Sequence, residues 1–152
     1  MIIIGADHVG FKLKHEIIAK LKEKGIEYID VTDYAQNDED DYVDIVKNLT
    51  KEVLSKTGSF AIAICGTGIG ISIACNKIKG IRAGACYNKE VAKKMKEDND
   101  CNVICFGGRQ ENDINEVMER IDIFMKSSFK GERHARRLCK ITDLEEKFGE
   151  DV

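Results

Sequence analysis

The stretch of this sequence with the clearest capacity for chemistry is a glycine-rich loop that begins with a thiol. It reads Cys65-Gly66-Thr67-Gly68-Ile69-Gly70 and lies between an apolar run at 60–64 and a helix-like stretch at 71–77. A strand that is apolar at every position is buried on both faces of a parallel sheet, so the loop lies at a carboxyl end, where ligands bind in α/β folds. Loop N–H groups there can bind an anion and favour a thiolate. Cys65 is therefore a candidate base or nucleophile beside a stabilised oxyanion.

The glycine spacing of this loop excludes two common phosphate motifs. The dinucleotide fingerprint G-x-G-x-x-G would require glycine at position 71, where the chain has isoleucine, and the loop follows the third predicted strand instead of the first. A P-loop would require a Lys-Ser/Thr pair after its last glycine. Two interpretations of the loop remain from spacing alone, an anion-binding turn and a tight strand-to-helix turn without a ligand.

A second candidate site is a basic cluster near the end of the chain. Arg133, His134, Arg136 and Arg137 lie at one predicted helix start, and Arg133 and Arg137 share a helix face. Like charges at this spacing repel each other, whereas paired guanidinium groups suit a phosphate. The cluster is either a phosphate site or a solvated basic face that balances the charge of acidic loops such as 38–41.

Asp7 and His8 follow the first predicted strand and open on the same sheet edge as Cys65. A turn of this kind is either a local hydrogen-bonded cap or part of a site. Because the carboxyl ends of parallel strands meet at one edge of the sheet, these residues are candidates for the same site as the thiol.

Five apolar runs alternate with helical patterns along the chain. The predicted strands are 1–5, 26–31, 60–64, 81–86 and 101–106, and the acidic stretch 33–41 is predicted to be an exposed loop. This alternation predicts an α/β fold with a five-stranded parallel, doubly wound sheet. A last helix is predicted over 132–148, with Leu138, Ile141, Leu144 and Phe148 along one side. No strand follows it, so we expect it to pack on a partner subunit in a homodimer.

Composition limits the class of protein further. The 152 residues suit one domain, residues 1–152, and a net charge of −3 gives no reason to expect nucleic acid or a membrane surface as a partner. No apolar run approaches the roughly 20 residues of a membrane span, and no signal segment opens the chain, so we expect a cytoplasmic protein. The six cysteines have no metal-ligand spacing and are predicted to be free thiols, most of them buried.

Six segments together resemble one known family, the type B ribose-5-phosphate isomerases and the galactose-6-phosphate isomerase subunits. The segments are Gly5-Ala6-Asp7-His8-Val9-Gly10-Phe11, Ile64 to Ser72, Ala74-Cys75-Asn76-Lys77, Gly80-Ile81-Arg82-Ala83, Asn102 to Arg109 and Arg133 to Arg137. They cover nearly the whole length in the expected order, and the Cys-Gly-Thr-Gly-Ile-Gly segment is the most specific of them.

The resemblance implies an aldose–ketose isomerisation of a sugar phosphate through an enediolate, without metal or cofactor. It also implies a three-layer Rossmann-like fold and a homodimer whose sites draw residues from both subunits, or a tetramer of the same chain. Cys65 would be the base that moves a proton between C1 and C2, and Thr67 would shuttle the hydroxyl proton. The remaining implied substrate contacts are the loop positions Gly66, Gly68, Ile69 and Gly70 for the enediolate oxygen, Asp7, Asn99 and Arg109 for the sugar, and His8, Arg133 and Arg137 for the phosphate.

One position departs from the family pattern. Many members carry a histidine, credited with opening the furanose ring, where this chain has Asp98. Ring opening then falls to Asp98, to His134, or to no residue. The substrate is accordingly ribose 5-phosphate or another sugar phosphate, such as a galactose or allose 6-phosphate or a tetrose phosphate.

Two alternatives involve no isomerase. A non-catalytic phosphosugar-binding module would need the glycines and arginines but not the thiol, so Cys65 and Thr67 argue against it. A nucleotide- or flavin-binding module lacks both a complete fingerprint and the acidic ribose-binding position.

Overall fold

The chain alternates strands and helices from end to end. The computed structural model describes residues 1–32 and 40–148, with side chains to residue 147. Its elements are β1 Ile2–Ala6, α1 Phe11–Glu23, β2 Tyr28–Asp30, α2 Tyr42–Ser55, β3 Phe60–Cys65, α3 Ile69–Cys75, β4 Ala83–Ala85, α4 Lys89–Glu97, β5 Val103–Gly107, α5 Ile114–Lys126 and α6 Arg133–Phe148. None of the helices in the described part is long and apolar enough to span a bilayer.

The five strands form one parallel sheet in the order β2-β1-β3-β5-β4. The predicted α/β fold with a five-stranded parallel sheet is therefore confirmed. β3 lies at the centre, and all six of its residues are buried. Its carboxyl end places Cys65 between the ends of β1 and β5, with Ala6 paired to Ile64 and Cys65 paired to Gly107.

Successive residues of a strand point to opposite faces of the sheet, and this alternation builds two cores. Even-numbered residues such as Ile62 and Ile64 pack in the cluster that includes residues of α1, α4 and α5. Odd-numbered residues such as Ala61 and Cys65 pack in the cluster that includes residues of α2 and α3. Helices thus cover both faces, which gives three layers, and the thiol of Cys65 lies on the α2/α3 side.

Local helix signals in the sequence are confirmed by capping contacts. The Asn88 side chain accepts a hydrogen bond from the backbone N–H of Val91 and caps α4. The Asp113 side chain accepts from two backbone N–H groups and caps α5. Gly25, which the sequence predicts as the end of α1, has a φ of +64°. These features depend on residues close in sequence, so the local pattern suffices to predict them.

The outer strands are shorter than the sequence predicts. β2 spans 28–30 instead of 26–31, and β4 spans 83–85 instead of 81–86. Beside β4, the side chain of Asn102 replaces a ladder bond, because its oxygen accepts from the backbone N–H of Arg82. Leu54, predicted on the buried stripe of α2, is half exposed, and Thr50 is buried in that helix instead. The side chain of Phe148 and residues 33–39 of the predicted acidic loop lie outside the described residues.

All six cysteines are free thiols, as predicted. Five of them are buried, and Cys139 on α6 is exposed.

Candidate functional site

The loop after β3 holds its thiol in a defined position. Cys65 is 3 % exposed, and its Sγ accepts a hydrogen bond from the backbone N–H of Gly68 at 3.2 Å. The Thr67 hydroxyl accepts from the backbone N–H of Ile69 at 3.3 Å. Gly68 has a left-handed φ of +81°, which turns the chain from the strand into α3 at Ile69. The sulfur and the loop amides therefore lie within one tight turn.

Two glycines of the loop are required by close packing. A Cβ at Gly68 would lie 3.0 Å from the carbonyl carbon of Phe106 in β5. A Cβ at Gly70 would lie 2.7 Å from Cζ of Tyr42, so the tyrosine ring rests against the loop backbone. Glycine here lets neighbouring elements approach the loop, which fixes its shape.

The end of β5 brings Arg109 to the same loop. The backbone N–H of Gly108 donates to the Cys65 carbonyl at 2.7 Å, and that of Arg109 donates to the Gly66 carbonyl at 3.0 Å. A Cβ at Gly66 would lie 3.0 Å from Nη1 of Arg109, which places the guanidinium over the loop. An exposed cation therefore lies beside the loop amides.

The turn after β1 completes this edge of the sheet. Asp7 is buried, and its Oδ1 accepts from the backbone N–H of Gly10 at 2.9 Å. Burial raises the pKa of the Asp7 carboxyl, and the Gly10 hydrogen bond and His8 only partly offset that rise. His8 Nδ1 lies 2.6 Å from Oδ1 of Asp40. We call Asp7, His8, Cys65, Thr67 and Arg109 the carboxyl-edge group.

The other predicted site residues form a second cluster around the end of α4 and the start of α6. The backbone N–H of Lys130 donates to the Glu97 carbonyl at 3.0 Å, which ties the two helix ends together. His134 is 6 % exposed, and its Nε2 lies 3.5 Å from Oδ1 of Asp98. The Asn99 carbonyl accepts from Nε of Arg82 at 3.0 Å. Arg133 and Arg137 are exposed on the first turns of α6. We call Asp98, Asn99, Arg133, His134 and Arg137 the amino-edge group.

Within one chain the two groups lie at opposite ends of the strands. The carboxyl-edge group is at the carboxyl ends and the amino-edge group is near the amino ends. Residues 98–102 lead into the start of β5, and the carbonyl of Asn102 accepts from the backbone N–H of Ala61 at 2.9 Å. Cys65 lies four residues farther along β3, which corresponds to about 13 Å along the strand. The structure therefore brings Cys65 together with Asp7, His8 and Arg109, but not with the arginines of α6.

Two residues that contribute to this edge, Asp40 and Lys14, are not predicted from the sequence. Asp40 falls in a stretch interpreted as a solvated acidic loop, yet its carboxylate contacts His8. Lys14 of α1 is almost fully buried, and its Nζ donates to Asp30 Oδ2 and to the Thr32 carbonyl, both at 2.8 Å. Thr32 in turn accepts from the backbone N–H of Ala6 at 3.2 Å. The only sequence signal for this network is a lysine within the apolar stripe of α1.

Comparisons with known proteins place this geometry in context. The family model described as Ribose/Galactose Isomerase matches residues 2–141. Ribose-5-phosphate isomerase B of Escherichia coli (strain K12) is 38 % identical over 146 residues, covering 96 % of this chain and 97 % of that protein. The solved structure of the Clostridium thermocellum ribose-5-phosphate isomerase B has a TM-score of 0.90 and 41 % identity, covering 97 % of this chain and 98 % of the other. That of the Mycoplasma genitalium enzyme with bound ribulose-5-phosphate has a TM-score of 0.88 and 33 % identity, with 96 % of each chain covered.

Proposed function

The chain belongs to the ribose/galactose isomerase family, and we propose that it is an isomerase that interconverts ribose 5-phosphate and ribulose 5-phosphate. The observation that carries this proposal is the loop at 65–70, where a thiol and a row of backbone amides lie in one turn beside Arg109. The bound ribulose-5-phosphate of the similar Mycoplasma genitalium structure supports the choice of sugar.

In the proposed reaction Cys65 is the base. Its thiolate takes the proton from C2 of the open-chain aldose, and the electron pair forms the C1–C2 double bond of an enediolate. The carbonyl oxygen O1 gains negative charge, which the amides of residues 66–70 stabilise. The thiol returns the proton to C1, while Thr67 carries the hydroxyl proton from O2 to O1, which gives the ketose.

The remaining residues bind the substrate away from the reacting carbons. We assign Asp7, Asn99 and Arg109 to the sugar hydroxyls, and His8, Arg133 and Arg137 to the phosphate. A guanidinium matches a phosphate with two parallel N–H bonds. Such remote contacts hold the carbon chain in register with Cys65 and supply binding energy for the reaction.

A complete site requires a second copy of the chain, since the amino-edge group lies across the sheet from Cys65. We therefore propose that each protein is a single domain, residues 1–152, in a homodimer, where the amino-edge group of one subunit completes the carboxyl-edge group of the other. Exposed apolar side chains support this assembly. Ile69 and Ile73 of α3 are 57 % and 56 % exposed, and Ile141 and Leu144 of α6 are also exposed. A groove of about 510 Å³ between α6 and the β4 edge adds further apolar surface.

A panel of aldose phosphates tests the proposed function. We expect the highest kcat/KM for ribose 5-phosphate, together with exchange of its C2 proton into solvent, which NMR in deuterated water detects. A higher kcat/KM for an allose or galactose 6-phosphate would make the chain an isomerase of another sugar. Binding of ribose 5-phosphate without C2 exchange would indicate a phosphosugar-binding module.

The furanose ring opens before isomerisation, and we assign the acid–base catalysis of this step to Asp98 and His134, whose side chains lie 3.5 Å apart. The changes Asp98→Asn and His134→Gln are expected to lower kcat/KM for ribose 5-phosphate about 100-fold, because removing a general acid or base has an effect of this order. An aldotetrose 4-phosphate has no free hydroxyl that could close a furanose ring, so its turnover should change little. Equal losses on both substrates would contradict the assignment.

A further inference from the structure

Asp40 makes an unusual double contact with His8. Its Oδ1 accepts a hydrogen bond from the backbone N–H of His8 at 3.0 Å and lies 2.6 Å from Nδ1 of the same residue. The side chain of Asp40 is 13 % exposed, so the contact is largely shielded from water. Because one carboxylate oxygen contacts both the backbone and the ring of His8, it fixes the ring relative to the chain.

Asp40 also lies close to the loop at 65–70 that carries Cys65. It lies two residues before Tyr42, the first residue of α2, and the Tyr42 ring rests against Gly70. The three-residue segment 40–42 therefore connects the turn that carries His8 with the loop that carries Cys65. A displacement of the α2 start would move both contacts together.

The contact with Asp40 determines the direction in which each ring nitrogen of His8 points. Since Nδ1 faces Asp40, Nε2 lies on the opposite side of the ring. A carboxylate at Nδ1 selects the form of the imidazole that carries its proton there. Two carboxyl groups of the described residues face His8, that of Asp40 and that of the buried Asp7, and they come from two different segments.

We infer that Asp40 is a positioning residue, which keeps the imidazole of His8 in the one orientation that lets Nε2 bind the phosphate group of the substrate. This inference rests on the proposed function, because that function assigns His8 to the phosphate. Asp40, which precedes α2, thereby becomes part of the phosphate-binding site. The neighbouring Asp41 has no such role.

The test compares Asp40→Asn with Asp41→Asn in the full-length protein. Both variants lose one carboxylate at adjacent positions, but Asp41 is exposed and makes no side-chain capping bond at α2. In Asp40→Asn we expect KM for ribose 5-phosphate and Kd for inorganic phosphate to rise about tenfold, as weakening one charge-assisted hydrogen bond does, with kcat within about twofold. Asp41→Asn should behave like the native protein, and Asp40→Glu should restore part of the phosphate affinity.

NMR of the histidine rings gives a readout that does not depend on catalysis. The chain has three histidines, and a His8→Gln spectrum identifies the His8 signals, which also report phosphate binding. The native protein should carry the neutral-ring proton mainly on Nδ1, and Asp40→Asn should shift the population toward Nε2. Unchanged tautomers and unchanged phosphate Kd in Asp40→Asn would overturn the inference, as would His8 signals that do not respond to phosphate in the native protein.

These results separate the inference from the proposed function. Native protein that binds phosphate at His8 with the expected dependence on Asp40, yet isomerises no aldose phosphate, would reject the function and retain the role of Asp40. Normal isomerisation with no effect of Asp40→Asn on phosphate Kd or on the His8 tautomer would retain the function and reject the role of Asp40.

Discussion

Replacing Cys65 by alanine is expected to lower kcat for isomerisation by about 10³-fold or more while leaving the fold intact. Loss of a general base costs between about 10² and 10⁴ in rate, and no other described thiol lies on the loop that carries the amides. The fold should persist, because among residues 1–32 and 40–148 the thiol of Cys65 makes a single hydrogen bond, which the Gly68 N–H donates to sulfur. The measurement is kcat with ribose 5-phosphate, accompanied by circular dichroism and by phosphate binding, which should both match the native protein.

Two neighbouring cysteines provide matched controls for this change. Cys75 and Cys105 are buried in the same core cluster as Cys65, on the α2/α3 side of the sheet. Burial raises the pKa of Cys75 to about 12 and also raises that of Cys105 well above its ordinary value, so neither is a thiolate near neutral pH. Cys75→Ala and Cys105→Ala should keep kcat within about threefold, since a core truncation acts on stability first. Native turnover in Cys65→Ala would remove the base from the mechanism.

Mixing two inactive variants is expected to restore activity. Cys65→Ala disables the carboxyl-edge group and Arg137→Ala disables the amino-edge group, and the two changes lie at opposite edges of one chain. If each site combines one group from each subunit, a mixed dimer carries one site with both changes and one site with neither. Random reassembly makes half of the dimers mixed, so about one quarter of the native activity should return, a consequence of two-fold symmetry.

The control mixture pairs two changes from the same group. Thr67 belongs to the carboxyl-edge group with Cys65, so every site of a mixed dimer of Cys65→Ala and Thr67→Ala carries one of the changes. This mixture should recover nothing. Both mixtures are compared after native mass spectrometry has shown that mixed dimers form. No recovery in the Cys65→Ala and Arg137→Ala mixture would mean that the two groups do not share a site.

The sequence predicts those features of the site that depend on residues close together in the chain. A strand with no polar position is buried on both faces, so the apolar run 60–64 is predicted to be a central strand. Cys65 follows this run and therefore lies at its carboxyl end. The glycines of the loop, the cap at Asn88 and the start of α5 at Asp113 follow from local spacing in the same way. Motifs in their expected order likewise identify the family, since they are matched along the chain without reference to contacts.

The tertiary structure alone decides which distant residues meet. The pairing of β3 with β5 sets Cys65 beside Arg109, and the contact of Lys130 with Glu97 holds the start of α6 at the other end of the strands. Arg137 therefore lies away from Cys65, although all three appear as candidates for one site in the sequence. His8 and Asp40 are 32 residues apart in sequence. They touch only because the turn after β1 and the segment before α2 lie at the same end of the strands. Sequence spacing carries information along the chain, whereas such contacts arise from the packing of whole elements against one another, which no local pattern encodes.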